Sequence, residues 1–402
     1  MHLSKTTFLA FCLAITLPLT VFSQSLTWEI KPLALDTNEG VAIADFDGDG
    51  KLDVSAGRNW YHNPDFVARP LRNFGDVNGY AESNGDFVYD VDKDGRPDVI
   101  ATGFFDTKLM WFRNPGKEAL RLGQLWEPHL LVDTKNQQNE AQLFEDIDGD
   151  GTPEWIVNSW IAARPFRVWR FGKATQEVTV KEPGKPNHVV NVPALAQCTI
   201  GVNANGHGMA VGDLNGDGHK DLLVGKGWYE SPTSDVLGQT WKYHADWDLH
   251  TSVPMLVMDV NSDGRNALIV GQAHDFGLHW WEQLPPADGK LVWKKHLIDD
   301  TVSQLHVLHL ADLTGDGSPE LITGKRYFAH NGGDPGAKDP VTMLYYEIDR
   351  KEAKFTRHVI SKEQVGTGLQ IKTGDIDGNG LNDIAVAGKS GTYILFNKGL
   401  KK

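Results

Sequence analysis

The sequence predicts an all-β fold: a seven-bladed β-propeller whose blades each carry a calcium-type acidic loop between strands one and two, closed by an N-terminal strand. Three observations predict it. An acidic nine-residue pattern recurs seven times, each copy lies between strand-length apolar runs, and the strand missing at one end of the chain is found at the other.

The repeat reads DFDGDGKLD from Asp45, DVDKDGRPD from Asp90, DIDGDGTPE from Asp146, DLNGDGHKD from Asp213, DVNSDGRNA from Asp259, DLTGDGSPE from Asp312 and DIDGNGLND from Asp375. The starts lie 45, 56, 67, 46, 53 and 63 residues apart. A period of about fifty residues with four strands per unit points to propeller blades.

Within each copy, positions 1, 3, 5 and 9 carry the oxygen ligands. They are Asp45, Asp47, Asp49 and Asp53 in the first copy and Asp90, Asp92, Asp94 and Asp98 in the second. The third has Asp146, Asp148, Asp150 and Glu154, and the fourth Asp213, Asn215, Asp217 and Asp221. The fifth keeps Asp259, Asn261 and Asp263 but ends in Ala267; the sixth keeps Asp312, Asp316 and Glu320 around Thr314; the seventh has Asp375, Asp377, Asn379 and Asp383. Hard oxygen donors converging around a Gly-permitted turn suit Ca²⁺. The loops therefore read as structural calcium staples, filled in most blades but not all.

Apolar runs such as Val41–Ala44 and Met255–Met258 precede the loops, and runs such as Leu222–Val224 follow them, so each loop joins two antiparallel strands. An aromatic-rich third strand follows, for example Leu109–Phe112. A fourth carries a recurring aromatic-x-x-His: Trp126 to His129, Trp241 to His244, Trp293 to His296 and Phe355 to His358. These histidines read as structural. After the seventh loop only Ile384–Ala387 and Thr392–Phe396 remain, and Leu26–Ile30 resembles the missing fourth strand. Pairing it there closes the ring and removes its open edges.

Residues 1–23 read as a signal peptide: Lys5, then an apolar run from Phe8 to Phe22, then Val21-Phe22-Ser23 before Gln24. The propeller is assigned to 24–402, exported to the periplasm or outside the cell, with no membrane span in the mature chain. Cys198 is its single cysteine, so no internal disulfide is available and metal is the expected staple. A formal charge of −14 argues against a nucleic-acid partner.

Seven such loops between strands resemble the FG-GAP, or VCBS, repeats of integrin α-subunit propellers. Gly225-Lys226-Gly227-Trp228-Tyr229, Gly271-Gln272-Ala273-His274-Asp275 and Gly324-Lys325-Arg326 resemble the propeller region of aldos-2-ulose dehydratases and exported bacterial homologues. That resemblance implies a carbohydrate lyase or dehydratase. The cupin domains those enzymes also carry have no counterpart in the present sequence.

In a blade, the loops before strand one and between strands two and three emerge opposite the acidic loops. Six residues before each acidic loop stand Glu39, Asn84, Glu140, His207, Val253, His306 and Leu369, expected at the mouth of the central channel. The two-to-three loops add Lys226, His274, Asp275, Lys325, Arg326, Tyr327, His330 and Lys389, and His250 lies on the same side. A β-elimination on a keto-sugar or oxidised glycoside needs a base, an enolate stabiliser and an acid. His274 is the expected base, with Asp275 or His250 as orienter or alternative. Lys325, Arg326 or a bound divalent metal would hold the enolate oxygen, Tyr327 would be the acid, and His330 and Lys226 complete the candidate set. His207, His306 and Glu140 could hold a transition metal such as Zn²⁺ or Mn²⁺. Two other readings stand beside the lyase. One is a non-catalytic, calcium-stabilised module binding glycan or protein. The other is a glycoside hydrolase, needing a carboxylate pair from Glu39, Glu140 and Asp275.

Overall fold

The structure is a computed structural model that describes residues 25–401 except 78, 159–160, 162, 183, 203–206 and 288–289. The expected signal segment lies outside the described residues. Seven four-stranded antiparallel sheets follow one another along the chain. Blades one to six span residues 41–70, 85–133, 141–201, 209–244, 256–303 and 308–362. Blade seven combines Gln370–Gly374, Asp383–Gly388 and Gly391–Leu400 with the N-terminal strand Leu26–Ala34, in register Glu29 to Phe396 and Ile30 to Leu395. The closure expected from the chain ends is present.

The hydrophobic core sits between neighbouring blades. Ile156 and Val168 of blade three pack with Met209, Leu222 and Tyr229 of blade four, and Ile322 and Tyr345 of blade six with Ile371, Ile384 and Leu395 of blade seven. Second strands are buried on both faces, as in Asp221–Val224 and Asp383–Gly388, which is why they read as continuous apolar runs rather than alternating ones.

The acidic loops latch these blades together. Both carboxylate oxygens of Asp45 accept backbone N–H groups, from Asp49 at 3.0 Å and Gly50 at 2.8 Å. Positions 4 and 6 of the loop adopt positive φ, 71° at Gly48 and 88° at Gly50, a region that costs a side chain free energy. Lys93 and Ser262 take position 4 at φ 58° in blades two and five. The position-9 acid turns inward: Asp53 is fully buried and accepts N–H bonds from Phe46 (3.0 Å) and Asn63 (2.8 Å). Asn63 then donates its side chain to the Ile376 carbonyl of blade seven, and Asn114 and Asn397 reach Phe46 and Leu313 in the same way.

The fourth-strand histidines have a structural role that explains their fixed spacing. His244 stacks on Trp228 at 4.2 Å, His296 on Trp280 at 4.3 Å and His358 on Tyr345 at 4.5 Å, all within 9° of parallel. His244 and His296 also hydrogen-bond Glu230 and Glu282, each at 2.7 Å. His296→Ala is expected to lower stability by about 1–2 kcal/mol, from the lost stack and hydrogen bond. The readout is a lower urea midpoint with an unchanged slope.

Where the gaps between acidic loops are long, the surplus chain goes to particular places. The 67-residue gap feeds a long hairpin in blade three, Phe166–Val180 against His188–Gly201, whose Val178, Val180 and Val192 pack against blade two. The 63-residue gap feeds an excursion between strands two and three of blade six, residues 325–341, which includes the short turn Ala329–Gly332.

Candidate functional site

The face opposite the acidic loops holds a cavity of about 500 Å³ at the channel mouth. Polar side chains line it all round the mouth, and its histidines come from blades four, five and six. His207 precedes the first strand of blade four, and Gly208 beside it has φ 121°; a Cβ there would lie 2.3 Å from Thr251 Cγ2. That close approach lets the His207 ring meet blade five, where its Nδ1 donates to the Thr251 carbonyl at 2.6 Å. His250 precedes Thr251, and His274 sits in the turn between strands two and three of the same blade.

These imidazoles converge. Ring centroids are 4.6 Å apart for His207–His250, 4.8 Å for His207–His274 and 4.8 Å for His250–His274. One ligand nitrogen from each lies within 4.8 Å of the other two. Asp334 binds the Nδ1 of His274 at 2.9 Å and, through its other oxygen, the Nδ1 of His330 at 2.9 Å. A carbonyl and an ionised carboxylate can only accept, so both Nδ1 atoms of His207 and His274 carry protons. Their Nε2 atoms then face each other at 3.3 Å. Two such nitrogens repel unless a proton or a cation lies between them. Two imidazole nitrogens on a tetrahedral zinc ion lie about 3.3 Å apart. Glu140 adds an oxygen 3.4 Å from the His207 Nε2.

Burial alone would raise the Glu140 carboxyl, but the charges of His207, Arg326 and His274 hold it at about 2. Burial depresses His207, yet Glu140 outweighs this and raises it. Burial pushes His274 down to about 4, only partly opposed by Asp334, so it is neutral and able to ligate at neutral pH.

His306, fully buried, is in the cluster but its lone pair is committed. Arg326 Nη1 donates to its Nε2 at 3.0 Å. The expected trio of Glu140, His207 and His306 does come together, and His207, His250 and His274 form a second group of donors within 4.8 Å of one another. The Arg326 guanidinium spans two carboxylates, ion-paired to Glu39 and 3.8 Å from Glu140.

Several expected residues fall elsewhere. Lys325 is buried and donates to the Arg326 and Ala337 carbonyls at 3.2 and 3.4 Å, tying the blade-six excursion at its base rather than facing a ligand. Lys226 lies 3.3 Å from Asp248. Asp275 is exposed and caps its own turn through the Phe276 N–H, so Asp334 orients His274 instead. Tyr327 is half exposed and does not line the cavity. Sequence reading missed Asp334, Glu82, Phe104 and Phe105. The signal for Asp334 was present: a long excursion holding His330 and an acid four residues on. Lys389 lines the cavity, where burial and the Arg326 charge lower its amine to about 8.

On the other face the acidic loops differ among themselves. Asp45, Asp47 and Asp53 bring three carboxylate oxygens within 4.8 Å of one another. Burial and neighbouring carboxylates raise the position-9 acids: Asp53 and Asp98 to about 7, Glu154 to about 8, Asp221 and Asp383 to about 6 and Glu320 to about 7. Such uncompensated charge among hard oxygens fits calcium. In blade two, the buried guanidinium of Arg113 already contacts Asp92 and Asp94, each at 2.6 Å. There a built-in cation occupies the place expected for an ion. Lys398 contacts Asp377 at 2.6 Å in blade seven, and Arg265 contacts Asp263 at 2.5 Å in blade five, where Ala267 also removes the ninth ligand.

Comparison with known proteins agrees with the repeat. The family described as FG-GAP-like repeat matches residues 90–157, and the FG-GAP repeat family matches residues 205–236. The chain therefore carries FG-GAP repeats. It is similar to integrin alpha pat-2 of Caenorhabditis briggsae, 30% identical over 229 residues, covering 47% of this chain and 18% of the length of that relative. Among solved structures, the BBS1N chain from a complex with ARL6DN aligns over 94% of this chain and 98% of its own, at 13% identity and a TM-score of 0.48. The V. cholerae biofilm matrix protein Bap1 aligns over 87% of this chain and 45% of its own, at 14% identity and a TM-score of 0.31. Among the described residues no helix is long and apolar enough to cross a membrane.

Proposed function

We propose that this propeller of FG-GAP repeats is an exported, metal-dependent carbohydrate lyase, working at the channel mouth and stapled by calcium on its opposite face. The observation that carries the reading is the convergence of one ring nitrogen each from His207, His250 and His274 within 4.8 Å of one another, with the Nδ1 atoms of His207 and His274 already committed. His250 joins His207 and His274 in a set of three imidazoles, with Glu140 3.4 Å from His207, which suits zinc or manganese better than calcium. Such an ion polarises a substrate carbonyl as a Lewis acid.

The remaining residues fit a β-elimination. His330 has its Nδ1–H held by Asp334, which leaves Nε2 as a base beside the ligand His274, on which its ring stacks at 4.4 Å. It takes the α-proton of a keto-sugar. The electron pair forms the α,β double bond, the β C–O bond breaks, and the leaving oxygen receives a proton from Lys389. Arg326, fixed between Glu39 and Glu140, supplies positive charge where the enolate develops.

Mixing the purified protein with 3-keto and 2-keto glycosides tests this. A new enone absorbance and one bound transition metal per chain are expected. Saturable glycan binding without turnover would leave the binding-module reading, which the integrin likeness favours. Asp334→Asn keeps one acceptor oxygen and turns the other into a donor, so it can hold only one of the two rings. It is expected to cost roughly ten- to hundredfold in metal affinity or turnover, the usual effect of a partner behind a metal ligand. Full metal content with full turnover in this variant would remove Asp334 from the scheme.

A further inference from the structure

Across the ring from the histidines, the cavity wall changes character. With seven blades, blade two faces blades five and six, and its loop between strands two and three contributes Phe104 and Phe105 to the lining. The two rings meet edge-on, 4.9 Å apart at 82°. Phe105 is 40% exposed, although its backbone is firmly held. Its N–H donates to the Glu82 carboxylate, and the Phe104 carbonyl accepts the Gln138 N–H at 2.6 Å. Gly103 makes this possible, since a Cβ there would lie 2.3 Å from Glu82 Cγ. A pinned loop that leaves a large apolar side chain facing a cavity forgoes the free energy of burying it. That cost is recovered when a flat apolar group covers the ring.

We infer that Phe104 and Phe105 form a leaving-group subsite for an aromatic aglycone, so that the preferred substrates are keto forms of aryl glycosides. The inference rests on the lyase reading and deepens it: the metal and His330 hold the keto-sugar on one wall, and the departing group lies on the other. Space permits both, since about 500 Å³ falls within the range of cavities that enclose ligands larger than one sugar ring. Glu82 and Asn84 line the same side of the cavity, but Glu82 is engaged by the Phe105 N–H, and the surface offered for stacking is the exposed Phe105 ring.

The test compares kcat/KM for 4-nitrophenyl and methyl 3-keto-β-glucosides in the full-length protein and in Phe105→Ala. Metal content serves as the control for an intact site. The preference for the aryl substrate should fall roughly tenfold in the variant, the upper end of an aromatic stacking contribution, and the loss should appear mainly in KM. An unchanged preference with metal retained overturns the subsite. If the parent protein turns over neither substrate, the lyase reading fails by itself. Calorimetric binding of 4-nitrophenyl glucoside then decides the subsite: weaker binding by Phe105→Ala supports it, and equal or absent binding overturns it.

Discussion

His207→Ala and His274→Ala are each expected to strip the channel mouth of its transition metal and to lower turnover of a keto-glycoside by about a thousandfold or more. A Lewis acid at a developing enolate contributes several kcal/mol to the transition state, and each 1.36 kcal/mol is tenfold in rate. Both side chains are well covered, but their polar contacts lie at the cavity, so the propeller should survive their loss. Metal analysis, enone absorbance and thermal unfolding would be read on the same preparation. Loss of metal and turnover with a retained unfolding transition supports the assignment. Full turnover in His274→Ala would sink it, since His274 is the side chain that joins His207 to Asp334.

Removing calcium should instead act on stability, and more strongly at higher pH. The buried position-9 acids have folded pKa values of about 6 to 8, above the ordinary carboxyl range. A raised acid pKa means that the folded metal-free chain binds protons more tightly than the unfolded one. These groups therefore support the metal-free fold below about pH 4, and that support is lost as pH rises through 6 to 8. Calcium takes over where the proton leaves. The gap in Tm between calcium-loaded and EGTA-treated protein should be small at pH 5 and about 10 °C or more at pH 8. A single loop filled at a thousand times its Kd adds about 4 kcal/mol. A gap that is equal at both pH values would refute this account. Blade two should contribute least, because Arg113 already neutralises Asp92 and Asp94.

The two faces of the propeller were legible to different degrees. Acidic loops, flanking strands and ring closure are local patterns, and local chemistry dictates them. A nine-residue loop closes on its own carboxylates, and an N-terminal strand such as Leu26–Ala34 has one open edge to fill. Register arithmetic also reached the right wall of the mouth, where His207, His250, His274 and His330 meet.

It could not assign partners there, because those bonds join residues far apart in sequence. The bond between His274 and Asp334 spans 60 residues, and that between His207 and His274 spans 67. Lys325 and Arg326 are neighbours in one loop, yet one turns into the blade and the other into the channel. Arg113 reaches from a third strand into the acidic loop of its own blade, which no reading of the nonapeptide alone could show. The sequence by itself determined seven blades, their closure, and a polar mouth opposite the acidic loops. Which lone pairs remain open there was decided only by the tertiary structure, because a donor's availability depends on every neighbour that packing brings to it.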